Sequence, residues 1–262
     1  MNLHDLAYFK RWFCHYVSGY FRHDGTDTQA ISLKQEHTEQ VCQEIVMLGQ
    51  ALNLPAQDML LAETMGLFHD LGRFEQYARY GTFNDSISEN HAGLGLRELA
   101  KHHVLSRCSE TEHALITKAI GYHNVRILPE VEDERVLSFS QLLRDADKLD
   151  IWRVFIDYYQ GRYGQTNATI VWGLPDDPAC SDRIMNALRS QEMADTRDMA
   201  TLSDYKLLQM SWLFDVNLGP TFRAVGERHY MEQIATTLPP TREIGELVTM
   251  VLGYLRDRQA AL

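Results

Sequence analysis

The chain has 262 residues, of which 45% are hydrophobic and 23% charged, and its formal net charge is −11 at pH 7. That length supports one large domain or one domain with an appendage. The acidic balance disfavours a polymeric nucleic-acid partner, and no apolar run approaches the length of a membrane span.

Leu3, Leu6, Phe9, Phe13, Tyr16, Val17 and Tyr20 recur at helical spacing, so residues 2–20 read as an aromatic-rich amphipathic helix. It carries little cationic charge, so packing on the main body is expected rather than attachment to a membrane surface. Residues 22–28 read as a polar loop. A helix from about Ile31 to Leu52 follows, with His37, Val41, Ile45, Leu48 and Leu52 on one face. His37 therefore stands on the buried stripe, either as a hydrogen-bonded core histidine or as a ligand. Lys34 lies one turn earlier, and two adjacent positive charges are costly, so a neutral His37 is expected.

Pro55 restarts a helix whose inward face is Leu61, Met65, Phe68 and His69, and the end of this helix is expected at Gly72 through a left-handed cap. Residues 74–90 read as a long aromatic-rich loop, either a lid or a surface loop pinned by its own rings. His91 opens a short helix. Ser109 and Glu112 form a capping-box pattern before the stripe Leu115, Ile116, Ala119 and Ile120, and His123 lies one turn beyond it. A helix from about Arg135 to Gln160 places Phe139, Leu143, Asp147, Ile151 and Val154 on one face, while Asp145 lies on the neighbouring one. Thr169 to Trp172 is a short extended run, a candidate isolated strand. Helical patterns resume at Ser181–Gln191, Ser203–Val216, Pro220–Thr236 and Arg242–Ala260. No P-loop, GxGxxG or GxSxG motif is present. Helical patterns thus dominate the chain, and residues 1–262 are read as a single domain with a C-terminal helical extension at about 181–260.

Cys14, Cys42, Cys108 and Cys180 show no CxxC spacing and read as reduced thiols, and residues 1–20 lack the unbroken apolar stretch of a signal peptide. A cytoplasmic location is the expectation.

His37, His69-Asp70, His91, His123 and Asp147 all stand at inward helix positions or helix ends. Each would need its own partner if buried apart. Gathered around metal ions they satisfy one another. Four imidazoles and two carboxylates exceed what one ion needs, and they suit two ions about 3.5–4 Å apart, with Asp70 as the natural bridge.

The ordered runs Glu36-His37-Thr38, Leu67-Phe68-His69-Asp70-Leu71-Gly72-Arg73 and Asp145-Ala146-Asp147-Lys148-Leu149-Asp150 resemble the HD-domain superfamily of metal-dependent phosphohydrolases. Asn90-His91-Ala92-Gly93-Leu94-Gly95 and Gly121-Tyr122-His123-Asn124 look like the extra histidine motifs of its dinuclear, six-ligand members. The resemblance covers about residues 31–158. It implies an all-α HD-domain helical bundle with additional C-terminal helices, and the metal ligands His37, His69, Asp70, His91, His123 and Asp147. The family's Ala-Asp-x-Leu pattern assigns the last ligand to Asp147 and leaves Asp145 as the alternate. Members that cleave cyclic dinucleotides usually carry Gly-Tyr-Pro after the late histidine, whereas Asn124-Val125-Arg126 stands here, which argues against such a substrate. Arg73 occupies a position that is often lysine in that branch, and arginine can hold a phosphate through two parallel hydrogen bonds.

The expected activity is metal-dependent hydrolysis of a small phosphate ester, a nucleotide or phosphorylated metabolite, by a metal-bridged hydroxide. Asp70 and Arg73 are the catalytic candidates, and Arg73, Lys34 and Lys148 the substrate-binding cations. The cofactors expected are two divalent transition-metal ions, Fe or Mn, with Zn, Ni, Co or Mg as further candidates. The competing class is a dinuclear-iron oxygenase of the same superfamily acting on a small organic substrate. A third is a metal-stabilised scaffold without turnover. Residues 200–262 are left as a surface for a partner or for homodimerisation.

Overall fold

The computed structural model describes residues 1–21, 28–130, 132–161 and 172–261. Among the described residues the regular elements are all helical: α1 Leu3–Ser18, α2 Thr28–Ala51, α3 Ala56–Phe68, α4 Leu71–Tyr80, α5 His91–Lys101, α6 Glu110–Tyr122, α7 Glu134–Tyr159, α8 Asp182–Arg189, α9 Leu202–Ser211, α10 Gly219–Glu227, α11 Tyr230–Ala235 and α12 Arg242–Ala260. Residues 169–171 of the expected extended run lie outside the described residues, as do residues 22–27 of the expected polar loop. The chain divides into two compact units, Met1–Asp150 and Ile151–Leu262, with the division falling inside α7.

In the first unit α3 is buried from Leu61 to Phe68 except for Glu63, and α1, α2 and α6 pack on it. The aromatic stripe of α1 packs inward: Phe9 and Trp12 meet the Phe68 ring edge-on, and Phe13 meets Phe74. The capping box of Ser109 and Glu112 is present at the start of α6. In the second unit α9 is buried along its whole length, and it packs against α8 and α11. The indole Nε1 of Trp152 donates to the Gln209 carbonyl at 2.9 Å. Buried Asp204 accepts from the Ser181 amide and hydroxyl, both at 2.6 Å, so this carboxylate is fully employed in holding α8 to α9.

Two sequence expectations are corrected around the His-Asp pair. The helix does not run to a glycine cap: α3 ends at Phe68, and Asp70 breaks the chain at φ −101°, ψ 14°. Gly72 lies inside α4, and its requirement is space, since a Cβ there would sit 2.5 Å from the Gly95 nitrogen and closer still to the His91 carbonyl oxygen. The segment 74–90 is not one long loop either. It holds most of α4, which Gly81 closes in the left-handed conformation (φ 65°), and a 3₁₀ turn, Asp85–Ile87, capped by Asn84. The helix was hidden because its inward face includes polar side chains: Gln76 is fully buried and Arg73 nearly so.

Candidate metal centre

The first unit carries every candidate ligand. His37 projects from the middle of α2. His69 and Asp70 occupy the break between α3 and α4. His91 is the first residue of α5, His123 caps the C-terminus of α6, and Asp147 lies on α7. The four histidines and Asp70 are all buried, while Asp147 keeps 16% of its side chain exposed.

Asp70 is the centre of the arrangement. Its Oδ2 faces His37 Nε2 at 3.4 Å and His69 Nε2 at 3.7 Å, and its Oδ1 faces His91 Nε2 at 3.3 Å and His123 Nε2 at 3.8 Å. Asp147 Oδ1 joins the first pair, 3.1 Å from His37 Nε2 and 3.6 Å from His69 Nε2. His37, His69 and Asp70 form one triad able to hold an ion, and Asp70, His91 and His123 form a second. Donors bonded to one ion at about 2.1 Å stand roughly 3.0–3.5 Å apart, close to the separations found here.

The far nitrogen of each ring is also fixed. His69 Nδ1 lies 2.8 Å from the Gly66 carbonyl and His123 Nδ1 lies 2.7 Å from the Ile120 carbonyl. A carbonyl only accepts, so both Nδ1 atoms donate, and both Nε2 atoms face Asp70. His91 Nδ1 donates to Asp85 Oδ2 at 2.7 Å, and His37 Nδ1 donates to Asp150 Oδ2 at 2.6 Å.

This set fits a cation. Burial, together with the neighbouring His91 and His69, pushes the His123 imidazole down to about 3, and burial and Arg73 also lower His91. Two neutral rings therefore point lone pairs at each other, with their Nε2 atoms 2.9 Å apart and an Asp70 oxygen beside them. Three acceptors without a donor repel one another unless a positive charge lies among them. Asp147 Oδ1 is likewise buried and faces the imidazole nitrogens of His37 and His69.

At the first triad the charge balance differs from that at the second. Burial and Lys34 push His37 down, but Asp147, Asp150 and Asp70 outweigh them and hold it up at about 10. Three carboxylates around the ring thus outweigh the one nearby cation, Lys34. A metal ion taking this place must displace that proton. Burial raises Asp70 and Asp147 too, yet both are held well below the usual carboxylate range. Asp70 is held by Lys34, His69, His37 and Arg73, and Asp147 by His37 and His69.

The three candidate substrate cations are placed differently. Lys34 Nζ lies 2.6 Å from Asp70 Oδ2 and keeps 17% of its side chain exposed. Arg73 Nε lies 3.4 Å from Asp70 Oδ1, and its Nη1 donates to Gln76 at 2.9 Å, the Phe83 carbonyl at 2.5 Å and Asp85 at 2.8 Å. Lys148 is buried on α7 beside Asp147. Asp145 is fully buried on the same helix.

Sequence reasoning missed Asp85 and Asp150. Asp150 had a signal, because it follows Asp147 by three residues on a helix and so shares its face. Asp85 had none, since only the turn after α4 brings it to His91.

Among the described residues no helix is long and apolar enough to cross a membrane. No curated protein and no solved structure matches the chain. The family model described as HD domain matches residues 35–152, a span that contains all six candidate ligands, and its members are mostly metal-dependent hydrolases. This match and the buried His/Asp cluster agree: the chain carries an HD domain over residues 35–152.

Proposed function

We propose that this protein hydrolyses a small phosphate ester, such as a nucleotide or a phosphorylated metabolite, with two divalent ions held by His37, His69, Asp70, His91, His123 and Asp147. The observation that carries the proposal is the orientation of Asp70, each of whose oxygens faces a different pair of imidazole Nε2 atoms. Ions bound there would supply Lewis acidity towards water and a phosphoryl oxygen.

The chain's own contribution is positioning and charge. Four Nδ1 hydrogen bonds hold the rings so that every Nε2 is free of its proton when the site is loaded. Lys34, partly exposed and adjacent to Asp70, is placed to neutralise a phosphate oxygen entering from solvent. Arg73 adds charge beside Asp70 but spends Nη1 on Gln76, Phe83 and Asp85, so its share in substrate binding falls to its remaining nitrogens.

The test is a panel of phosphate monoesters incubated with metal-replete protein, its chelated form and Asp70→Asn, with released phosphate and dissolved oxygen both recorded. Phosphate release that requires metal and Asp70 supports the hydrolase. Release that survives chelation overturns it. Oxygen uptake dependent on an organic substrate, without phosphate release, would assign the site to the oxygenase class instead.

A further inference from the structure

Each triad in the HD domain has one ring fixed by a backbone carbonyl and one fixed by a carboxylate. In the first the pair is His69 on Gly66 and His37 on Asp150, and in the second it is His123 on Ile120 and His91 on Asp85. The carbonyl anchors are parts of α3 and α6 themselves and cannot be lost without unwinding a helix. The carboxylate anchors differ in kind. Asp150 is fully buried on α7, the longest helix of the chain among the described residues. Asp85 sits on a 3₁₀ turn of three residues and keeps 30% of its side chain exposed.

A separate set of contacts holds that turn in place. Arg73 Nη1 and Gln76 Nε2 each donate to Asp85 Oδ1 at 2.8 Å, leaving Oδ2 for His91. Gln76 Nε2 also lies 2.9 Å from Ser88 Oγ and 2.8 Å from the Glu89 carbonyl, and Asn124 Nδ2 reaches Asp85 Oδ2 at 3.4 Å. The turn from Phe83 to Glu89 is therefore tied to α4 through two side chains, Arg73 and Gln76, and through them to His91.

We infer that Asp85 and Asp150 are positioning residues for separate ions, and that the ion at His91 and His123 is the weaker of the two because its carboxylate anchor sits on the exposed turn. The inference rests on the two-ion reading above. Local opening of a short exposed turn costs less than opening a long buried helix. Whenever the turn opens, His91 loses the acceptor that fixes its tautomer and ring angle. Removing an outer partner of this kind lowers metal affinity about 10–100-fold.

The experiment is calorimetric titration of the chelator-stripped full chain with Mn²⁺, together with metal content after desalting, for wild type, Asp85→Asn, Asp150→Asn and Gln76→Ala. Wild type is expected to bind two ions in steps of unequal affinity. Asp85→Asn should weaken the weaker step about 10–100-fold and leave the tighter one within twofold. Asp150→Asn should do the reverse. Gln76→Ala, which touches no histidine, should weaken the same step as Asp85→Asn by a smaller factor. In a His91→Ala background, which removes the second triad, Asp85→Asn should leave the remaining Mn²⁺ affinity unchanged while Asp150→Asn still lowers it. Equal losses at both steps, no loss at either, or Asp85→Asn acting on the tighter step overturns the inference alone. A wild-type chain that binds one ion or none overturns the two-ion reading, and this inference with it.

Discussion

Gly72→Ala tests the packing of the site at its narrowest point. The added Cβ would lie 2.5 Å from the Gly95 nitrogen and nearer to the His91 carbonyl oxygen, where an ordinary carbon–oxygen contact is about 3.3 Å. Both obstacles are backbone of α5, which cannot rotate aside as a side chain would, so α4 and α5 must part by about 1 Å. Overpacking of this severity costs about 3 kcal/mol. Replacing glycine by alanine within a helix returns about 1 kcal/mol. Strain wins, and the net loss is about 2 kcal/mol, which lowers Tm by about 4–8 °C in a protein of this size. The same 1 Å is half of a metal–nitrogen bond, about 2.1 Å long, so the His91 ligand should be lost from its ion. The assay is a thermal melt of metal-replete protein together with metal content per chain. Gly93→Ala is the control, because its Cβ would meet only side-chain atoms of Asn90 at 3.5 Å and Arg97 at 3.7 Å. A Gly72→Ala chain that melts at or above the wild-type temperature with its metal content intact would refute the argument.

Three further outcomes are expected. Asp70→Asn removes the negative charge that faces both triads, so metal content should fall below one ion per chain and phosphate release should vanish. The Glu132 carboxylate is held down to about 2, first by Lys118 and then by the Asp133 amide and the Tyr122 hydroxyl. A lowered carboxylate stabilises the fold above its ordinary value near 4.5 and loses that contribution as pH falls towards 2. The Tm difference between wild type and Glu132→Gln should therefore be largest at neutral pH and close across that window in a series of melts. In α12, a Cβ added at Gly253 would meet nothing within 4 Å, so Gly253→Ala should stabilise by about 0.5–1 kcal/mol, read as a higher midpoint in denaturant.

What could be read from the sequence depended on whether one helix face carried the message. His37 belongs to the stripe Val41, Ile45 and Leu48, and His123 follows the stripe of α6, so their inward direction was visible as a 3.6-residue period. On α7 the period left Asp145 and Asp147 open, and the resemblance alone assigned the ligand to Asp147. The period failed on α4, where buried Gln76 and partly buried Arg73 serve the Asp85 turn and replace the apolar residues that would have announced a helix. Gly72 was rightly noticed for the wrong reason, since sequence alone does not distinguish a glycine needed for its φ from one needed for its lack of a side chain. The surroundings of His37 were legible only in part, because Asp150, which meets its Nδ1 at 2.6 Å, was not recognised as a neighbour.

The scattering of the donors along α2, the α3–α4 break, α5, α6 and α7 has a consequence for biogenesis. The place at His37 and His69 stays incomplete in a nascent chain until α7 has left the ribosome, because Asp147 and Asp150 arrive last. Loading there is therefore a late event that reports on the correct assembly of nearly the whole first unit. A truncated polypeptide ending before α7 should remain unable to retain the ion at His37 and His69, however much metal is supplied.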